Sequence, residues 1–548
     1  MESLGEETWD AVICGTGLSQ SLLALALSRS NKRILHLDAN DYYGEHEAAL
    51  SLQEADIWSQ NYAGAGATQQ SDDYTSVVSE DGHGEEIAGA RETTDPDVKR
   101  LDSLNEDVLV TGSASPNKQS SLFRNATVWK HPNAEAEGLS FPRAYSLALA
   151  PQIIHTKSKL LSQLVSSKAY RQVEFLAVGS FFVYSTSDTS GGTLARIPSS
   201  REDVFSAQSI PSRSKRALMK FLKFVIDYDS DEQKPIWTDW ADKSLSTYLV
   251  EEFRLDESLR NYILALTLTL DGKVTVKSGL ATIHRHLTSI GLFGHGFCAV
   301  YPKWGGLSEV AQVGCRAGAV GGGIYMLNTN MTTDESSDGK EISLNLTDNV
   351  SIRTTALISS QQTPAVASHT IARLVAVVNS PLQSLFETLV EGAPTPALAI
   401  VSFPSGSLLN TEPELDVPVY AFVHSSDTGE CPAGQSLIYL TMQTTSQSPQ
   451  FLNTALAALL QAIAPSATSL YKLYYEQATS ARQSLITPRG SATVLEFPSP
   501  SLGLAFDDAS LDAVKEAWKL IIKADASDDA YMIFEDRDGV GDTDNIYD

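Results

Sequence analysis

The 548-residue sequence is short of cysteine, short of positive charge and free of long apolar runs. Its four cysteines, Cys14, Cys298, Cys315 and Cys431, stand far apart, in neither a disulfide framework nor a metal-ligand spacing. That usage fits a reducing, cytoplasmic compartment. No stretch of about 18 apolar residues occurs, so no transmembrane helix is expected. The acidic opening MESLGEETWD reads as neither signal nor transit peptide. Lys and Arg number 40 against 67 Asp and Glu, a formal charge of −27. This balance argues against nucleic acid as a partner and leaves only transient contact with anionic membranes. Catalytic signatures are missing too: there is no nucleophile elbow, no Walker lysine and no HExxH helix. His284 and His286 in IHRHL fall on different helix faces, with no further ligand close in sequence. The late segment DRDGVGDTD places its glycine too early for a calcium loop and lacks the closing glutamate, so no metal is expected.

What is present begins with WDAVICGTGLSQSLLALALSRSNKRILHLDANDYYG, Trp9 to Gly44. A short apolar strand (Ala11 to Cys14) runs into Gly15-Thr16-Gly17, a helix follows, and a second strand ends at Asp38. This is nearly a dinucleotide-binding βαβ start, with Asp38 about twenty residues on, where an acid would meet a ribose. The third small residue of the fingerprint is replaced by Gln20, whose side chain crowds the helix-packing position. Two readings stay open: a flavin or nicotinamide site, or a fold that has outlived its cofactor.

Composition divides the rest of the chain. Residues 45–140 mix Ser, Gly, Asp, Glu and Thr with little periodicity, and read as a largely disordered acidic insertion. Within it, Ser71 to Val110 carries roughly twelve acids against three bases. Residues 141–295 read as a mainly helical block. Helical spacing runs through LAPQIIHTKSKLLSQLVSSKAYRQVEFLAV, SKRALMKFLKFVIDYDS, SLSTYLVEEFRLDESLRNYILALTLTL and LATIHRHLTSIGLFGH, with Asp256 as a cap. Strands then resume in GGIYML, TIARLVAVVNS, TPALAIVSF, VPVYAFVHS and QSLIYLTMQT, before a last helix, ASLDAVKEAWKLIIKA. An acidic tail, 525–548, follows. The fold class expected is α/β. A flavoprotein-like domain of FAD/NAD(P)-binding type, built from 1–44 and 296–524, carries a smaller α-helical domain.

The stretch YPKWGGLSEVAQVGCRAGAVGGGIYMLNTNM, Tyr301 to Met331, holds a second signal. A turn at Gly305-Gly306 opens a helix near Ser308, and Gly321-Gly322-Gly323 ends it before a strand at Ile324 to Leu327. At 100° per residue, Glu309, Gln312 and Arg316 form one polar stripe. Glu309 and Arg316 are two turns apart, too far to satisfy each other as an ordinary helix pair. The stripe is either a solvated face or a recognition surface with an acid, an amide and a guanidinium. Likewise LMKFLKFVIDY and YILALTLTL, apolar nearly all round, are either plain core or the walls of a groove for an apolar chain.

These residues point to a family. GTGLSQSLLALALSRSNKRILHLDANDYYG resembles the first block of the Rab GDP-dissociation inhibitor and Rab escort protein superfamily, and YPKWGGLSEVAQVGCRAGAVGGGIYMLN resembles its later Rab-binding block. SREDVFSAQSIPSRSKRALMKFLKFVIDYD and the helix pair STYLVEEFRLDESLRNYILALTL match as well. SREDVF with ALMKFLKF, and the insertion after Tyr43-Gly44, are more similar to the escort branch than to the compact inhibitors. The resemblance implies a flavoprotein-like fold without flavin or other cofactor, and no catalysis by this chain. It implies a Rab-binding platform at Tyr43, Glu309, Gln312, Arg316, Ile324, Tyr325 and Met326, with Ile324 standing where inhibitors have threonine. The implied partners are Rab GTPases in the GDP form, the Rab geranylgeranyltransferase α/β heterodimer and the geranylgeranyl lipid. The helical domain would meet the transferase and shelter the lipid. Recycling of prenylated Rabs by an inhibitor is the alternative, and a flavin-dependent oxidase of related fold a remote one.

Overall fold

The computed structural model describes residues 2–5, 8–64, 122–187, 191–198, 201–207, 210–294, 296–333, 341–347, 350–360, 369–388, 391–408, 415–479, 485–489, 492–523, 527 and 530–535. One sheet runs in the order Ile324–Met326, Ile34–Leu37, Ala11–Cys14, Ala356–Ser360, Ala492–Phe497, Leu485–Arg489. Its pairs are parallel except the last. Parallel neighbours need crossover connections, so the strands come from both ends of the chain. Against this sheet lies the helix Leu18–Ser28, itself covered by the helices Leu307–Val320 and Ala509–Ile522. Enclosure on all sides explains its apolar sequence: Leu22, Leu23, Ala24, Leu25 and Leu27 are fully buried.

A second, ten-stranded sheet has the order Phe123–Lys130, Ser469–Thr479, His369–Val378, Ser436–Gln443, Val419–Ser425, Leu398–Phe403, Phe175–Ser187, Ala299–Pro302, Ile154–His155, with Gly191–Arg196 also paired to Phe175–Ser187. Strand alternation sends Ala372, Leu374, Ala376 and Val378 to one face, under the helix Ser448–Ile463. Val375 and Val377 go to the other face. There they meet a layer of helices, Ser212–Ile226, Leu245–Glu251, Glu257–Leu266 and Val276–Ser289. Asp256 caps the third of these, accepting from the Leu259 amide at 3.0 Å as expected.

The structure corrects several expected boundaries. Residues 45–64 and 122–140, placed in the disordered insertion, are folded at both ends of it. Ser51 and Glu54 form a capping box that starts the helix Leu52–Asn61, and Phe123–Lys130 is the outer strand of the large sheet. Polar composition hid them, because an outer strand and a surface helix need only a few apolar contacts. Residues 65–121 lie outside the described residues. The block 141–295 is not mainly helical throughout. Within LAPQIIHTKSKLLSQLVSSKAYRQVEFLAV only Lys159–Ser166 is α-helix, and Phe175–Ser187 is a strand buried between Leu398–Phe403 and Ala299–Pro302. A buried apolar run carries no period that separates strand from helix. In the acidic tail, Tyr531 and Met532 are buried and the Phe534 amide donates to the Ser166 carbonyl; residues 536–548 lie outside the described residues.

The helix Leu52–Asn61 earns its place through Trp58, whose ring centroid lies 4.8 Å from Tyr62, 5.0 Å from Phe123 and 5.3 Å from Tyr475. Trp58→Ala is expected to cost about 3–5 kcal/mol of unfolding free energy. Denaturant titration measures it, and an unchanged midpoint would mean that this helix is peripheral after all.

Candidate functional site

Two places concentrate polar groups: the Gly15-Thr16-Gly17 turn, and the helix Leu307–Val320 beside the strand Ile324–Met326. In a dinucleotide-binding fold the turn and the helix N-terminus behind it receive a pyrophosphate, because free amides and the helix dipole favour negative charge. Here the chain fills that position itself. The short 3₁₀ turn Glu45–Glu47 folds back over the glycines. A Cβ on Gly15 would stand 2.2 Å from Glu45 Oε1, and one on Gly17 would stand 3.1 Å from Glu45 Oε2. Glu47 Oε2 accepts from the Leu18 amide at 3.2 Å, and Glu47 Oε1 lies 2.9 Å from His46 Nε2.

Asp38 is also committed. Its carboxylate accepts from the Thr16 amide at 2.9 Å, the Thr16 hydroxyl at 2.5 Å, and the Asn40 amide and side chain at 2.8 and 2.9 Å. The Gly44 amide in turn donates to Thr16 Oγ1 at 2.8 Å. Gln20 is buried, with its Oε1 3.0 Å from a Cβ built on Gly17. The residues present therefore do not fit a dinucleotide: its phosphate cradle holds two glutamates and its ribose acid is spent on a threonine. Gln20 was the clue in the sequence, but Glu45 and Glu47 are the occupants. The signal for them was the acidic YYGEHE immediately after the second strand.

Enclosure makes this cluster electrostatically tense. Burial, then the nearby Asp38 charge, push the Glu45 carboxyl up to about 8, against the pull of His46. Burial also raises Asp38, opposed by its hydrogen bonds from Thr16 and Asn40. Behind them, burial pushes the Cys14 thiol up to about 12 and lowers His36 to about 4.

At the second place, Glu309, Gln312 and Arg316 do share one face of the helix. The expectation that Glu309 and Arg316 cannot meet is wrong. Arg316 Nη2 donates to Glu309 Oε1 at 2.5 Å. Seven residues rise about 10.5 Å, and the long Arg316 side chain leans N-terminally, as helical side chains do, and closes the gap. The pair is asymmetric: the Arg316 side chain is 48% exposed and that of Glu309 16%. Gln312 Nε2 donates to Ser308 Oγ at 3.3 Å.

Tyr43 stands behind this face, its hydroxyl 2.8 Å from Ser21 Oγ and in reach of the Cys315 thiol. Tyr325 is turned toward the helix, its hydroxyl over Gly318 and without a hydrogen-bond partner among the described residues. Met326, on the opposite side of the strand, packs with Leu37 against the small sheet that includes Ile342–Leu346. Ile324 is exposed. Glu309, Gln312 and Arg316 thus form a helix face, Ile324, Tyr325 and Met326 the adjoining edge strand, and Tyr43 backs the helix, rather than all seven making one flat patch. The strand Ile324–Met326 ends its sheet and leaves one backbone edge unpaired among the described residues. Exposed Val320 and Leu327 extend the apolar border. Sequence reading missed two exposed aromatics: Trp304, just before the helix, and Phe205 in SREDVF.

Among the described residues, no group of three His, Cys, Asp or Glu could hold a metal, and no helix is long and apolar enough to cross a membrane.

The chain matches the GDP dissociation inhibitor family over residues 5–75 and 97–390. It is 28% identical over 464 residues to a Rab proteins geranylgeranyltransferase component A of Saccharomyces cerevisiae, covering 83% of this chain and 65% of that one. The corresponding protein of Candida albicans is 27% identical, over 78% of this chain and 58% of its own. This chain therefore spans somewhat less than two thirds of these two relatives. Rab escort protein 1 of Arabidopsis thaliana is 23% identical over 94% of this chain and 93% of that one. The fold is that of a Rab GDI from Plasmodium falciparum, with a TM-score of 0.59 at 16% identity over 94% of this chain and 98% of that one. An oxidoreductase from Methanosarcina mazei shares it at a TM-score of 0.51 and 11% identity, over 92% and 99%.

Linkage gives the Glu45 cluster a pH signature. A folded pKa of about 8 lies above the ordinary 4.5. The folded state thus keeps a proton that the unfolded chain releases. Its contribution to stability is full below about 4.5 and is lost as pH rises through about 8. Glu45→Gln should flatten this part of the curve. Melting curves from pH 5 to 9 test it, and equal slopes for the two proteins would remove Glu45 from the account.

Proposed function

The chain belongs to the GDP dissociation inhibitor family, and from that premise we propose that it acts as a Rab escort protein. It holds a GDP-state Rab, presents it to Rab geranylgeranyltransferase, and carries the prenylated product to a membrane. The observation that carries this reading is the pairing of two facts about one domain. The cofactor cradle is filled by Glu45 and Glu47, while the adjoining edge presents Arg316, Gln312 and a strand with one edge unpaired among the described residues. A scaffold that keeps its sheet but closes its cofactor site has its surface left for recognition.

Nothing in the proposed cycle asks this chain for bond-making chemistry. The Rab globular domain rests on the platform helix and the strand Ile324–Met326, and its flexible cysteine tail stays free to reach the transferase active site. An exposed guanidinium beside a half-covered carboxylate suits a polar partner with both charge signs. The transferase-facing surface is assigned to the helical layer. There Phe205 is 55% exposed on the short helix Arg201–Ser206, beside the lysines and arginines that begin Ser212–Ile226. A protruding aromatic flanked by charge has the character of an interface anchor.

Lipid shelter demands apolar volume. Burying a C20 chain at about 0.8 kcal/mol per methylene is worth over about 10 kcal/mol in gross terms. The cleft bounded by Phe181, Ile197, Leu266, Ile290 and Phe297 encloses only 30 Å³, room for about two waters. In the proposed cycle this part of the molecule widens to admit the lipid. A closed resting state also suits a carrier that releases its cargo at a bilayer.

The inhibitor reading shares the platform and lacks the transferase. Mixing the full chain with transferase, geranylgeranyl diphosphate and an unprenylated Rab separates the two. Lipid transfer that depends on this chain supports escort; none, with tight binding of prenylated Rab, leaves an inhibitor. Within that assay, Arg316→Ala is expected to weaken Rab·GDP binding by about 1–3 kcal/mol. Its cost to folding should stay below about 1 kcal/mol, because the ion pair is half exposed. Titration calorimetry beside thermal melts tells an interface anchor from a structural residue.

A further inference from the structure

Beneath the turn that opens the platform helix lies a carboxylate with no access to solvent. The side chains of Glu430 and His424 are both 0% exposed, with His424 Nδ1 2.6 Å from Glu430 Oε2. Tyr301 donates to Glu430 Oε1 at 2.8 Å, and Tyr439 donates to Oε2 at 3.1 Å. Burial, then the Glu430 charge, hold both phenols well above their ordinary pKa, so each remains a donor. A fully buried carboxylate persists only with this many partners.

The network touches the start of the platform helix from two sides. From Tyr301 the chain runs through Pro302 and Lys303 to Trp304-Gly305-Gly306, and the helix begins at Leu307. From the other side, the Thr428 carbonyl accepts the Trp304 amide at 2.9 Å, and the Glu430 carbonyl accepts the Ser146 amide at 3.0 Å. The Ser146 hydroxyl closes the circuit on the Trp304 carbonyl at 3.0 Å.

The turn so held is a strained one. Trp304 sits at φ 75°, a region that bulky residues avoid. Its indole lies so close on Gly429 that a Cβ there would be 2.3 Å from the ring, and a Cβ on Gly306 would be 2.7 Å from the Tyr301 hydroxyl. Such a conformation survives only where its surroundings over-determine it, and Glu430 ties together the groups that supply them, Tyr301 through its side chain and Ser146 through its carbonyl.

We propose that Glu430 is a positioning residue for Rab binding. Through Tyr301 and the Ser426–Glu430 turn it sets where the platform helix begins, and so where Glu309, Gln312 and Arg316 stand relative to the strand Ile324–Met326. The proposal rests on that helix face being the Rab-binding surface. Recognition by a charged stripe tolerates little misplacement, so a rigid origin for the helix matters more than any extra contact. Glu430 itself never meets the Rab.

The test uses the full chain and three variants, Tyr301→Phe, Glu430→Gln and Arg316→Ala. Affinities for Rab·GDP and for the transferase are measured separately, and amide hydrogen exchange is followed in 307–320 and 276–289. Tyr301→Phe removes one hydroxyl and is the safer variant should Glu430→Gln fail to fold. The expected result is a roughly tenfold loss of Rab affinity, with transferase affinity unchanged and exchange accelerated in 307–320 alone. Equal losses for both partners, with faster exchange in both helices, would make the network general scaffolding and overturn the proposal. Full Rab affinity in Tyr301→Phe, with affinity lost in Arg316→Ala, would also overturn it while leaving the platform in place. Unchanged affinity in Arg316→Ala would instead remove the platform, and the proposal with it.

Discussion

The opening helix of a βαβ unit demands negative charge. Its first amides have no partner within the helix, and their dipoles align toward the glycine turn. A cofactor phosphate is one way to meet that demand, and the Glu47 carboxylate on the Leu18 amide, beside a Glu45 that keeps its proton over Gly15, is another. Much else follows from the second solution. The carboxylates come from the segment directly after Tyr43, so the same fold-back that closes the cradle fixes Tyr43 against Ser21 and the back of the platform helix. The electrostatic requirement that a ligand could meet here joins two parts of a protein surface.

The solution has a cost, visible in the raised pKa of Glu45. Two glutamates and Asp38 share a small enclosed volume with one histidine. Their mutual repulsion is relieved by holding a proton rather than by solvent. The contrast with Glu430 is instructive. That carboxylate is more enclosed still, yet has His424 and two phenols around it. One cluster closes a site and the other fixes a helix. Both place a buried acid where the backbone is in an unusual conformation, at Glu45 with φ 44° and at Trp304 with φ 75°.

The two sheets divide the work. The parallel sheet, with helices on it, builds the edge where Glu309, Gln312 and Arg316 stand. The ten-stranded sheet backs the helical layer, whose apolar interior runs continuously from Phe221 and Tyr248 to Val375 and Tyr439. Tyr301 and Tyr439 lie where these regions join, so the platform is seated on the large sheet as well as on its own. A largely apolar layer and a charged face thus stand on different elements of one chain.

The βαβ start, the helices Ser212–Ile226 and Glu257–Leu266, the platform helix and the strands after Ile324 were readable because their signals are local: a glycine pair, a capping aspartate, a 3.6-residue stripe, a break of three glycines. The strand Phe175–Ser187 and the helix Leu52–Asn61 were not. A strand apolar at nearly every position has no polar alternation to display, and a capping box in polar sequence resembles loop. The sequence by itself determined which residue types were available: glycines for the turn and an acid-amide-guanidinium stripe for the surface. Only tertiary structure decided that Arg316 reaches Glu309, that Met326 turns away from the platform, and that Glu45 and Glu47 occupy the cradle. Each of these depends on where a side chain ends in space relative to residues distant along the chain or several turns away. Periodicity specifies the face a residue occupies, and does not specify what stands opposite it.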